Sequence, residues 1–88
     1  MLKLDISKST AKFLENLPPK QFKQVMNAIL SLLSYPYPVD SEKLVGFDYY
    51  RKDVGEYRIV YRVENDEILK VYETGKRNDD DVYRRLKR

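Results

Sequence analysis

Two absences narrow the chemistry open to this chain more than any motif in it. There is no cysteine, which excludes a disulfide framework and a thiolate metal site and fits a reducing compartment. There is no histidine either, so any catalysis must run on lysine, arginine, tyrosine or carboxylates. The side chain that most often moves protons near pH 7 is missing. No apolar run approaches the roughly 20 residues that span a bilayer. The opening MLKLDISKST has no apolar core of a secretory signal. A cytoplasmic location with no membrane partner is expected. The formal net charge of +3 is spread over both halves and does not by itself mark a nucleic-acid binder.

What is present fits one domain over residues 1–88. A chain this short buries only roughly 60–65% of its unfolded surface, so its stability margin is modest. Leu2, Leu4 and Ile6 alternate with Lys3 and Asp5, which predicts a short strand with one wet face. Ser7 or Ser9 suits the cap of a following helix with Phe13, Leu14 and Leu17 as its apolar positions. Pro18-Pro19 ends that helix, and Pro19 suits the first turn of the next. In this second helix Phe22, Val25, Met26, Ile29, Leu32 and Leu33 form one apolar face. Burying six such side chains contributes on the order of 10 kcal/mol before entropy is subtracted. YPYPVD (35–40) reads as a rigid spacer, with base stacking by its two tyrosines as the alternative.

The centre of the chain is Tyr49 to Arg77, three predicted strands joined by turns at Gly55 and Asn65-Asp66. Strand alternation puts Tyr57, Ile59, Tyr61 and Val63 on one face and Arg58, Val60 and Arg62 on the other. After Arg77, Asn78 suits a helix cap, Asp79 to Asp81 the positive end of a helix dipole, and Arg84, Arg85, Lys87 and Arg88 the negative end. Capping explains the aspartates without a metal, since they lack the spacing and glycine of a calcium loop. The expected class is α+β in the order β-α-α-β-β-β-α: an antiparallel curved sheet on a two-helix hairpin, with a short C-terminal helix.

The segments YR..VGEYRIVYRV and V.ETGKRNDDDVY, with KLVG ahead of them, resemble the RelE/ParE superfamily of small toxins. The resemblance runs over nearly the whole chain. It implies a toxin of a type II toxin–antitoxin system, partnered by a cognate antitoxin. On the RelE branch it further implies a metal-independent, cofactor-free endoribonuclease (an mRNA interferase) that cuts translated mRNA in the ribosomal A site. Ribosome and mRNA are then partners, and DNA is met only through the antitoxin complex.

By that resemblance Arg58 contacts the scissile phosphate, Arg77 stabilises transition-state charge, and Tyr83 stacks on or activates the substrate nucleotide. Arg51 matches a basic residue on the first of the three strands, and Lys52, Arg62 and Lys76 join it in binding substrate. Tyr49 and Asp53 depart from the pattern, standing where relatives carry basic residues. RNA cleavage by its own 2′-OH needs a base, stabilisation of a dianionic phosphorane, and an acid for the leaving 5′-oxygen. Arginine forks serve the second need. Lys52, Lys76 and Tyr83 are the candidates for the base.

Each assignment has a plainer counterpart. Arg58 and Arg62 fit cross-strand pairs with Glu56, Glu64 or Glu73. Lys76-Arg77 fits a charged strand end, and Tyr83 a half-buried helix aromatic. Two other functions are compatible with the same scaffold: gyrase inhibition without catalysis, as in the ParE branch, and a degenerate toxin that only binds its antitoxin.

Overall fold

The computed structural model describes residues 1–76. The predicted C-terminal helix, with Arg77 and Tyr83, lies outside them. Strand β1 (Lys3–Ile6) leads into helix α1 (Lys8–Glu15) and helix α2 (Pro19–Ser34). Strands β2 (Ser41–Lys43), β3 (Tyr50–Val54), β4 (Tyr57–Glu64) and β5 (Ile68–Lys76) follow. They form one five-stranded sheet in the order β1-β5-β4-β3-β2.

The sheet is mixed rather than wholly antiparallel, because β1 joins β5 in parallel. The helical hairpin separates β1 from the rest in sequence, so no tight turn dictates the direction in which it must pair. Its register sets Leu4 beside Leu69 and Ile6 beside Val71, which carries its apolar side onto the helix-facing layer. Strand β2 was not anticipated. Ser41, Glu42 and Lys43 have little strand propensity, and they extend because they pair with Lys52, Arg51 and Tyr50 at the sheet edge.

The turns follow the sequence. Asn65 and Asp66 both take left-handed conformations, φ +54° and +57°. Glu67 N–H donates to Glu64 C=O at 3.0 Å across them. Two positive φ values in a two-residue loop match the right-handed twist of the strands they join. Gly55, at φ +58°, opens the β3–β4 turn.

The main core lies between the helices and one sheet face. Val25, Ile29 and Leu32 of α2 and Leu14 of α1 meet Tyr57, Ile59, Tyr61, Leu69 and Val71. Ser7 is the α1 cap: its Oγ accepts from Thr10 N–H and donates to Tyr72 C=O at 2.7 Å, tying the helix start to β5. Phe22 departs from expectation at 42% exposure. It sits in the first turn of α2, where Pro19, Lys20 and Lys23 line a shallow hollow with it. The buried arc of α2 is therefore narrower than the full apolar set.

The YPYPVD segment acts as a spacer fastened to the sheet. The Tyr37 ring packs 4.8 Å from that of Tyr50, and the fully buried Tyr61 donates its hydroxyl to Pro36 C=O. Burial pushes the Tyr61 hydroxyl up to about 12. A folded-state value above the unfolded one, near 10, means stability that is whole below pH 10 and lost as pH rises through 12. The loss amounts to roughly 2–3 kcal/mol. Tyr61→Phe should cost about 1 kcal/mol near neutral pH through the lost hydrogen bond. It should also remove the alkaline loss, so the variant becomes the more stable protein by about pH 12. Urea midpoints across that pH range check both signs.

Candidate anion-binding face

Because opposed residues in an antiparallel ladder share a face, the register fixes what the sheet shows on the side away from the helices. Opposite pairs on this side are Asp53 with Arg58, Arg51 with Val60, and Arg62 with Lys70. Across the edge, Glu42 opposes Arg51. Val60 is completely buried here, packed with Leu44, Phe47 and Tyr49. It explains the apolar residue between two arginines: it anchors the segment that follows β2 over this face.

Arg58 and Arg62 share one face, as the alternation predicted, and the hairpin register adds Arg51 to it. Lys52 is not with them. It opposes Ile59 on the helix side, and its Nζ donates to the Asp40 carboxylate at 2.5 Å. That contact holds the Asp40 carboxyl below the usual carboxylate range. Lys76 opposes Tyr57, so it too takes the helix-side register, at the exposed end of β5. Two of the candidate bases therefore lie across the sheet from Arg58.

Among the described residues, Asp53, Glu42 and Asp48 join Glu64 as carboxylate partners of the arginines. Arg58 Nε donates to Asp53 Oδ1 at 2.7 Å and its Nη2 to Oδ2 at 3.2 Å, a two-pronged contact. Arg51 Nη1 donates to the same Oδ2 at 3.1 Å, and its Nη2 reaches Glu42. Arg62 Nη2 donates to Glu64 at 2.6 Å, and its Nη1 lies 3.6 Å from Asp48. Of the expected partners, Glu64 takes this role for Arg62. Its hydrogen bond raises the Arg62 guanidinium and lowers the Glu64 carboxyl, keeping both charged.

A second feature escaped the sequence reading. Between Val60/Tyr61 and the facing part of β5 the register shifts, Val60 pairing with Glu73 but Tyr61 with Val71. Tyr72 is the extra residue of this bulge. Its ring meets that of Tyr49 edge-on at 4.5 Å, and the Arg62 guanidinium lies 5.3 Å from one ring and 5.6 Å from the other. Burial raises the Tyr72 hydroxyl, with the Tyr49 charge second. A raised phenol is the opposite of what a general base needs. Nothing in the one-dimensional pattern locates a bulge, so Tyr72 had no signal. Among the described residues, no cluster of three or more histidine, cysteine or acidic side chains has metal-holding geometry.

This fold, a mixed sheet on two helices, matches known proteins. A family model, the ParE toxin of type II toxin–antitoxin systems (parDE), matches residues 4–81. The chain belongs to this toxin family, within the RelE/ParE superfamily. Its fold is that of the RelE toxins. The archaeal RelE–RelB complex of Pyrococcus horikoshii OT3 is 29% identical with a TM-score of 0.76, covering 86% of this chain and 94% of that one. The intact E. coli RelBE toxin–antitoxin complex is 25% identical with a TM-score of 0.74, covering 86% and 96%. The RelB–RelE complex of Methanococcus jannaschii, at 23% identity and TM-score 0.69, shares the fold over 98% and 99% of the two chains. No curated protein sequence matches the chain. No helix among the described residues is long and apolar enough to cross a membrane.

Proposed function

We propose that this toxin is a ribosome-dependent endoribonuclease acting on translated mRNA, and that a cognate antitoxin neutralises it. The observation that carries this reading is the gathering of Arg51, Arg58 and Arg62 on the sheet face away from the helices. Guanidinium forks hold phosphodiester oxygens well. Solved relatives at 29% and 25% identity are RelE toxins held in RelB complexes, which supports the RelE branch and the antitoxin. In this scheme Arg58 binds the scissile phosphate with Arg51, Arg77 stabilises the dianionic phosphorane, and Tyr83 stacks on the nucleotide. The 2′-OH loses its proton as its oxygen attacks phosphorus, and the 5′-oxygen leaves with a proton. With Lys52 and Lys76 on the helix side, ribosomal positioning of the mRNA carries much of the rate, a term worth about 7–11 kcal/mol.

A second reading, inhibition of DNA gyrase without catalysis, draws support from Asp53. A carboxylate on Arg58 and Arg51 makes the face less attractive to phosphate. The two readings separate in vitro. Purified protein with ribosomes and a short mRNA should cut only when a codon occupies the A site. No cutting, with loss of DNA supercoiling in a gyrase assay, would replace the first reading by the second.

A further inference from the structure

Asp53 sits where the proposed chemistry requires an anion from outside. Its two oxygens accept from Arg58 at 2.7 and 3.2 Å and from Arg51 at 3.1 Å. A planar two-oxygen anion between two guanidinium forks has the shape of a phosphodiester's non-bridging oxygens in the same place. The hairpin enforces the arrangement. Val54 and Tyr57 close the turn, so Asp53 opposes Arg58 directly, and it lies on the same face as Arg51 two residues earlier.

We propose that Asp53 is a built-in competitor occupying the phosphate site formed by Arg51 and Arg58, which an RNA phosphodiester enters by displacing it. The inference rests on the reading of this face as an RNA site and adds to it a residue that sets affinity. The Asp53 side chain is 28% exposed, against 15% for Arg58, so solvent reaches the carboxylate more readily than the guanidinium it pairs with. It can swing outward about its own side-chain bonds without disturbing the ladder. A single small anion gains little more from the forks than the carboxylate already provides. A polynucleotide with several contacts displaces it, which makes binding depend on the length of RNA presented.

The test uses the whole chain and a 2′-O-methyl RNA of about ten nucleotides, which spans such a face and is not cut. Asp53→Asn should bind about tenfold tighter than wild type, with a salt dependence steeper by about 0.7 in slope for each arginine released. Asp53→Ser removes the same charge with a strand-tolerant side chain and must show the same gain. Glu67→Gln makes an equal change of net charge in the exposed β4–β5 turn, and should change affinity less than about twofold. Arg58→Ala added to Asp53→Asn should cancel the gain. If both Asp53 variants fold but bind like wild type or like Glu67→Gln, Asp53 is only a cross-strand partner and the inference is overturned. Tighter RNA binding by Asp53→Asn, with mRNA on ribosomes left intact by both proteins, would end the nuclease reading and leave this inference standing.

Discussion

Arg58→Ala is expected to lower ribosome-dependent mRNA cleavage by about 10²–10³-fold while the domain stays folded. Arg58 lies in mid-sheet, between the fully buried Ile59 and the buried Tyr57. Those neighbours hold the backbone at this position whatever the side chain becomes. Losing its contact with Asp53 should cost about 1–3 kcal/mol of stability. Arg51 still holds the freed carboxylate, which limits the damage. Arg58→Lys discriminates a fork from a mere charge. An ammonium cannot grip two oxygens in one plane, so lysine should recover little of the rate. Cleavage assays on ribosomes, paired with circular dichroism and urea denaturation, separate a lost site from a lost fold.

The second large effect concerns the scaffold. Ile29→Ala should destabilise the domain by about 2–5 kcal/mol, the sum of lost transfer energy and a cavity that its surroundings only partly fill. Ile29 is fully buried where α2 meets Tyr61 and Ile59. A domain of this length has roughly 4–13 kcal/mol in all, so the variant is marginal at best. Leu30→Ala, one residue on, should shift stability by no more than about 0.5 kcal/mol. Leu30 is 48% exposed and turned away from the sheet. A shifted denaturation midpoint for the first variant and an unshifted one for the second would fix the rotation of α2.

Much of this was legible in the sequence because it is local or periodic. The left-handed tolerance of Asn65-Asp66 and Gly55 set the hairpins, and the hairpins set the register. Alternation along Tyr57–Val63 then sorted the arginines from the core. Three features were not legible, for distinct physical reasons. Strand β2 extends only because an edge is available for it, a property of the partner strand. The bulge at Tyr72 breaks the period-two rule without a marker residue. Phe22 continues the apolar spacing of α2, yet its burial depends on what stands opposite the first turn. Lys52 is a different case. Strand alternation turns it to the face opposite Arg51, against the substrate-binding role that the resemblance implies. Asp53 departs from the family pattern, and the hairpin turn at Gly55 sets it opposite Arg58.

The central claim is that the sheet face away from the helices carries out cleavage of translated mRNA, with Arg58 at its heart. Mapping mRNA 5′ ends by primer extension after brief induction tests it most directly, with wild type beside Arg58→Ala. Cuts at fixed places within codons of translated regions, lost in the variant, are the predicted result. Growth arrest by the wild-type protein with no such cuts, or cuts that persist undiminished in Arg58→Ala, would contradict it.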